Sequence, residues 1–390
     1  MCARLRLNEV LSILQSSMKK LIILGIRGIP ARHGGFETFA EKLSLYLVRQ
    51  GWRVTVYCQE SGTGSISTSD WNGIQRIHIP VANNGVAGTI FFDWKATVHA
   101  LGQNGLFLTL GYNTAVFNLL QRIKGQTNVI NMDGIEWKRE KWGVCAKTWF
   151  WLNERAGCWF GNHLVADHPM IKEHLATRVS SSKITMIPYG GDCVVDAAAA
   201  TLDRYNLEPH GFSVIIARPE PENSFLQIVT AFSSKPRDHK LVVLGNFSPD
   251  KNKYHKQVMD AAGEEVIFPG AIYEAEVVQA LRYFSRFYIH GHRVGGTNPS
   301  LVEALGAGCA VIAHNNHFNR WVAGDAAVYF NDEHDCAVLF DKYLRSDHSS
   351  LIATMRKEST RRFYEKFTWE NILSQYEKLL IQWYPKEHCK

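Results

Sequence analysis

Short apolar runs alternate along the chain with longer stretches in which apolar positions recur every three or four residues, and that alternation sets the expected fold. Residues 21–24 form one run, ending at Gly25; residues 37–50 carry helical spacing up to Gly51; residues 54–57 form the next run. Strand, helix and strand in that order make a βαβ unit with parallel strands. Further strands are expected at 75–79, 106–109, 128–131, 163–166 and 184–187, the last closed by Pro188, with helical stretches between most of them. Residues 190–208 carry an alanine run and few strong apolar positions, which reads as a linker. The pattern then restarts, with strands at 212–217, 240–244, 266–268, 287–289 and 310–313 and helices at 224–232, 275–283 and 299–305. Two α/β halves, each doubly wound, are the predicted organisation. In the tail, Phe367, Trp369, Ile372, Tyr376, Leu379 and Trp383 fall at helical spacing, long enough to reach back across both halves.

Composition narrows the class. A chain of 390 residues, 46% hydrophobic and 21% charged, has the make-up of a globular protein with room for two domains. No run approaches the roughly 20 apolar residues that span a bilayer. Leu7, Val10, Leu11 and Leu14 keep helical spacing, but Asn8, Glu9 and Gln15 break the core a signal peptide needs. Residues 1–17 are therefore expected to be an extension, with the first domain starting at Met18. Eight scattered cysteines without a Cys-x-x-Cys pair suggest reduced thiols and a cytoplasmic protein. The net charge of +6 is too small to argue for nucleic acid.

The densest chemistry lies at residues 290–308. A turn with Gly295 and Gly296 follows an apolar run, then a helix opens at Pro299 with one carboxylate, Glu303. Free N–H groups at such a helix start favour a phosphate, and an acid beyond the glycines suits ribose hydroxyls, so a nucleoside diphosphate ligand is expected. Arg218 ends the first strand of the second half, where a guanidinium can clamp a diphosphate; a surface pair with Glu220 or Glu222 is the alternative. In the first half, residues 25–38 carry Arg27, Gly34 and Gly35 but lack a Gly-x-Gly-x-x-Gly turn, and no acid ends the second strand. An arginine-bearing loop facing a ligand fits better than a dinucleotide fingerprint. Asp133 and Glu136 follow another strand; they either contact an acceptor hydroxyl or form an N-cap and its capping-box partner.

The segments "GIRGIPARHGGFETFAEKL", "NMDGIEWKREKW", "ARPEPEN" and "HGHRVGGTNPSLVEALGAG" resemble a retaining GT-B glycosyltransferase of family 4, and within it the bacterial rhamnosyltransferase-like branch of capsule and O-antigen assembly. The resemblance runs from about Lys19 to beyond Phe330. It implies two Rossmann-like domains facing a central cleft, divided as residues 18–195 for the acceptor, 196–365 for the nucleotide-sugar donor and 366–390 as a helix crossing back. It implies a hexosyltransferase moving L-rhamnose from dTDP-L-rhamnose onto a lipid-linked saccharide, with the nucleotide-sugar as substrate and no other cofactor. Glu303 would bind the donor ribose, Arg218 the diphosphate, and the backbone of Gly295, Gly296 and Thr297 would face the sugar. Gly34, Gly35, Arg293 and Asn298 complete the expected donor set, and Asp133, Glu136 and His292 are the catalytic candidates. Two positions depart from the broader family: Gly295 replaces its first glutamate and Asn223 its usual lysine. His292, Arg293 or Arg27 is expected to supply the missing positive charge.

Residues 137–159 hold five of the eleven tryptophans, interspersed with lysines and arginines. That mixture suits a peripheral contact with the inner face of the plasma membrane, or aromatic core packing; base stacking on a single strand lacks any accompanying nucleic-acid motif. His290-x-His292 has no third ligand close by, and residues 332–335 read as a solvated turn, so no metal is expected. The alternatives are a transferase using a UDP- or GDP-sugar, a GT-B nucleotide-sugar epimerase, a nicotinamide oxidoreductase, and a non-enzymatic scaffold with a degenerate donor site.

Overall fold

The computed structural model describes residues 18–32, 34–82, 85–344 and 348–385, so the expected extension at residues 1–17 lies outside the described residues. The chain divides into two compact units. One takes the described residues up to Asp133, then Thr148–Ile187 and the tail from Leu373; the other takes Gly134–Lys147 and Pro188–Ile372.

The first unit is built on an eight-stranded sheet: β1 (Lys20–Leu24), β2 (Arg53–Ser61), β3 (Ser67–Trp71), β4 (Ile74–Val81), β5 (Leu106–Leu110), β6 (Asn128–Asn131), β7 (His163–Ala166) and β8 (Ile184–Met186). Their order is β3-β4-β2-β1-β5-β6-β7-β8. All neighbours run parallel except β3 and β4. The central strands read as unbroken apolar runs because helices cover both faces. The antiparallel edge strand β3 is polar (Ser-Thr-Ser-Asp-Trp) and was not predicted. Its hairpin turn is Asn72-Gly73, both at positive φ, the pairing that matches strand twist in two-residue connections. The C-terminal helix Trp369–Trp383 closes this unit from Leu373 onward. Asn131 Nδ2 donates to the Tyr376 hydroxyl at 2.7 Å, and Glu377 accepts from the Tyr46 hydroxyl (2.9 Å) and from Trp52 Nε1 (3.1 Å).

The second unit holds six parallel strands: β9 (Phe212–Ile216), β10 (Lys240–Leu244), β11 (Val266–Gly270), β12 (Tyr288–His290), β13 (Val311–His314) and β14 (Ala327–Phe330). Their order, β11-β10-β9-β12-β13-β14, reverses direction of winding between β9 and β12. The period-two alternation of the strands sorts side chains into two cores. Val214, Val242, Tyr288 and Val311 pack under the helices Ala275–Phe284 and Pro299–Gly306. Ile215, Val243, Ile289 and Ile312 pack on the other face under the helix Phe225–Ser233. Residues 190–208 have no strand and only the 3₁₀ turn Ala199–Tyr205, in which Leu202 is buried. Residues 332–335 are not a free turn. The Asp332 carboxylate accepts from the Asp335 N–H at 2.9 Å and caps the helix Glu333–Tyr343.

Candidate functional site

In open α/β sheets ligands bind beyond the carboxyl ends of the strands where the winding reverses. In the second unit that point lies between β9 and β12. The chain leaves β9 through Ala217 and Arg218, and leaves β12 through His290, Gly291 and His292.

Close approach of these two exits requires a glycine at 291. A Cβ there would meet the Asn223 carbonyl oxygen at 2.2 Å and Ile228 Cδ1 at 2.7 Å. Asn223 in turn donates its amide to the Arg218 carbonyl at 2.8 Å, so Asn223 is a buried brace for the Arg218 turn. Gly295 sits at φ +151 with open space about its missing Cβ. A glutamate at that position would be held in a conformation side-chain-bearing residues rarely adopt, which gives a physical reason for the departure at residue 295. Thr297 is buried, and the Asn298 side chain caps the following helix by accepting from the Ser300 N–H at 3.0 Å, with Pro299 in its first turn.

The start of that helix is anchored to the end of β9. Ser300 Oγ donates to the Ile216 carbonyl at 3.0 Å and lies 2.6 Å from the Tyr288 hydroxyl, which burial pushes up to about 12. Glu303 meets the Arg282 guanidinium at 2.5 Å. Arg282 is buried, while the Glu303 side chain keeps 38% of its surface. A ribose-binding acid would therefore arrive already oriented by a buried cation.

The loop 134–142 belongs to the same unit and brings in residues that the sequence pattern left unassigned. A Cβ on Gly134 would stand 3.5 Å from Gly295 Cα. Glu136 pairs with Arg139 at 2.5 Å and accepts from Trp142 Nε1 at 3.3 Å. Arg139 Nη1 also lies 3.9 Å from the buried carboxylate of Glu222. Lys141 is depressed from the usual ammonium range by burial and then by Arg139 and Arg218, which puts the three cations in one neighbourhood. Arg293 stitches this loop to the Arg218 turn: its N–H donates to the Glu222 carbonyl (2.9 Å), and Nη2 reaches the Pro221 carbonyl (3.2 Å) and Glu140 (3.3 Å).

Several expectations change accordingly. Arg218 has no carboxylate partner among the described residues, so the surface pair with Glu220 or Glu222 does not form; Glu222 is buried beside Arg139. Asp133 and Glu136 do not make a capping box. Asp133 takes a left-handed backbone (φ +54), and the 3₁₀ turn Glu136–Lys138 starts after Ile135 with no side-chain cap. His292 cannot supply the missing charge. Burial, with Arg139 and Arg218 nearby, pushes its imidazole down to about 3, so it is neutral at ordinary pH. Its ring stacks on that of His290 at 4.3 Å, and Asn316 and Asn319 hold its carbonyl at 2.9 Å each. Arg139 and Lys141 are the cations that accompany Arg218. Their only signal in the sequence was a basic run after a strand, indistinguishable there from a solvated face.

The first unit carries a cavity of about 680 Å³ lined by the turn after β1 and by residues of β2 and β4. Arg27, Arg32, Arg76 and His78 line it, with Glu60 the one carboxylate among its lining residues. Arg76 Nη1 donates to the Ile29 carbonyl at 3.4 Å, and His78 Nε2 lies 2.7 Å from Ser69 Oγ. Gly34 and Gly35 form the start of the helix Gly35–Arg49 and do not line the cavity. Among the described residues no group of three or more His, Cys, Asp or Glu could hold a metal ion, and no helix is long and apolar enough to cross a membrane.

A family model described as a domain of unknown function (DUF1972) matches residues 18–192. No curated protein matches the chain in sequence. Solved structures match over almost its whole length. Sucrose-phosphate synthase from Thermosynechococcus elongatus superposes with a TM-score of 0.78 at 16% identity, over 93% of this chain and 98% of that one. Anabaena Alr3699/HepE in complex with UDP gives 0.71 at 13% identity, over 94% and 100%. The α,α-trehalose 6-phosphate synthase from Burkholderia multivorans gives 0.72 at 9% identity, over 94% and 96%. The two Rossmann-like units thus have the fold of the GT-B glycosyltransferases.

Proposed function

We propose that the protein is a retaining glycosyltransferase that takes a sugar from a nucleoside diphosphate, specifically L-rhamnose from dTDP-L-rhamnose, and delivers it to a lipid-linked saccharide. The observation that carries this reading is the convergence of Arg139, Lys141 and Arg218 where the second sheet reverses, beside the Asn298-capped start of the helix Pro299–Gly306. Two arginines and a lysine in one neighbourhood suit a diphosphate, and in a leaving group that charge grows as the glycosidic bond breaks. Glu303, held by Arg282, would take the ribose hydroxyls. The backbone of Gly295 and Gly296 would lie against the sugar.

The mechanism needs no strong general base if the departing diphosphate accepts the acceptor's proton on the face it leaves. The ion pair that occupies Glu136 and the depressed pKa of His292 support that division of labour. Asp133, just past the end of β6, is assigned to orient an acceptor hydroxyl. The cavity lined by Arg27, Arg32 and Arg76 is a fitting site for the anionic part of the acceptor. A UDP-sugar donor is the second reading, favoured because HepE carries UDP in a matching fold.

Titration of the purified protein with dTDP, UDP, GDP and NAD, followed by thermal unfolding, tests the donor reading. A ligand at a hundredfold its dissociation constant stabilises by about 2.7 kcal/mol. Stabilisation by dTDP above the others, reduced in Arg218→Ala, is expected, together with release of dTDP from dTDP-L-rhamnose when acceptor is added. UDP preference moves the reading to the second donor. Indifference to every nucleoside diphosphate rejects both.

A further inference from the structure

The first unit leaves one large apolar face uncovered. On the helix Val86–Ala100, Phe91, Trp94 and Val98 are exposed at spacings of three and four residues, while Phe92, Ala96 and Ala100 point into the core. On the following segment, comprising Ala115–Phe117 and Asn118–Ile123, Val116, Leu119 and Ile123 repeat that spacing outward. The Trp94 and Phe117 rings meet edge-on at 5.2 Å, so the two stripes form one surface. The helix Val144–Phe160 flanks it: Asn153 Oδ1 accepts from the Val116 N–H at 3.0 Å, and Trp149 Nε1 donates to the Asn113 carbonyl at 2.8 Å. From that helix Trp151, Leu152 and Trp159 are exposed as well, Trp159 by 60% and, on the neighbouring segment, Ile123 by 74%. Single exposed apolar residues are ordinary; a contiguous patch of this kind marks an interaction surface.

The charges on the face identify the partner. Between residues 86 and 132 the only acid is Asp93, which is buried and accepts from the Thr114 hydroxyl at 2.8 Å. The only acid of the flanking helix, Glu154, is buried between Arg178 and His174. The other charges of these elements are positive: Arg122 and Lys124 are exposed, and the half-buried Lys95 and Arg155 lie over the Phe91 ring at 4.7 Å and the Trp151 ring at 3.3 Å. A second copy of the chain docked through this face would set cation against cation. An anionic bilayer offers the complement, with acyl chains for the aromatic and aliphatic side chains and headgroups for the lysines and arginines.

We propose that this face, from Phe91 through Ile123 with Trp151 and Trp159 at its edge, docks the protein on the surface of an anionic lipid bilayer. Of the segment 137–159 it takes Trp151 and Trp159, whereas residues 137–142 pack within the second unit. The inference does not depend on the sugar donor or on transfer.

Flotation of the full-length protein with vesicles tests it. Phosphatidylcholine vesicles containing about one quarter phosphatidylglycerol should carry the protein up the gradient, and pure phosphatidylcholine should carry it at least roughly tenfold less. Arg122→Glu/Lys124→Glu should weaken binding to the anionic vesicles by roughly fivefold or more per residue. Phe91→Ser/Ile123→Ser should lower binding to vesicles of either composition. Both positions are open to solvent, so the unfolding temperature of each variant should match the parent and show that it folds. Failure to float, equal binding to both vesicle types, or variants that bind like the parent overturn the proposal. So does a concentration-dependent dimer that Phe91→Ser/Ile123→Ser abolishes, since it assigns the face to a second copy.

Discussion

Removing Glu303 should have two separable consequences, one structural and one for the ligand. Its carboxylate lies 2.5 Å from the Arg282 guanidinium, whose other side-chain acceptor is Ser300 Oγ at 3.3 Å. Two unit charges whose centres lie about 4 Å apart attract by about 4 kcal/mol at an effective dielectric near 20. Because the glutamate side chain is 38% exposed, screening and water compensation lower the net cost of losing it to about 1–3 kcal/mol, below the loss expected for a fully buried pair. Glu303→Ala should therefore unfold at lower denaturant concentration with no change of slope. Arg282→Met/Glu303→Ala should regain part of the loss, because the uncompensated buried cation goes with the acid. Ligand binding is then read against each variant's own unfolding curve: stabilisation by nucleoside diphosphate present in the parent should be missing from the double variant. If Glu303→Ala unfolds within about 0.5 kcal/mol of the parent, the ion pair contributes nothing of substance. If the double variant still responds fully to nucleotide, Glu303 does not hold the donor.

Other perturbations follow from the same geometry. Gly291→Ala puts a methyl against the Asn223 carbonyl and should cost about 1–3 kcal/mol in denaturant unfolding, with nucleotide affinity falling because the Arg218 turn is pushed off β12; unchanged stability would mean that the two exits are not in contact. Asp93 is raised by burial to about 7, so between its unfolded value of 3.8 and 7 the folded protein holds the extra proton. Its contribution to stability is full below pH 3.8 and is lost as pH rises through 7, so Asp93→Asn should match the parent at pH 4 and exceed it at pH 8, by on the order of 3 kcal/mol. His163 and His239 run the other way: burial depresses each to about 4, so their contribution is full above pH 6.5 and is lost as pH falls toward 4. His239→Gln, keeping a partner for Ser213 Oγ, should flatten the acid limb of the stability profile in urea titrations from pH 4 to 7. Glu377→Ala removes the acceptor shared by Tyr46 and Trp52 and should cost about 2 kcal/mol in thermal or urea unfolding; a loss below 0.5 would show that the last helix is held by its apolar face alone.

Much of the scaffold was legible in the residues. Apolar runs such as Leu21-Ile22-Ile23-Leu24 and Leu241-Val242-Val243-Leu244 can only be strands covered on both faces, and they are. Pro299 behind Asn298 announced a helix start, which is where one lies. The hairpin at Asn72-Gly73 has an equally local turn signature, but β3 lacks an apolar run because it is polar, as an edge strand facing water can be. The cap at Asp332 is not distinctive in sequence, since an acidic cluster has the same composition in a turn as at a helix start.

Local rules decide these elements, since a strand or a cap depends on residues within a few positions of one another. The site does not obey that limit. Arg139 and Lys141 follow a strand of the first sheet yet belong to the second unit beside Arg218, some eighty residues later in the chain. Glu303 finds its cation on a helix that precedes it, and His292 is neutral because burial and two distant arginines make it so. Local sequence therefore determined the strands, helices and turns of this protein. Only the tertiary structure decided which charges meet and which are neutral, because Coulomb interactions and desolvation act through space between residues that the chain keeps far apart.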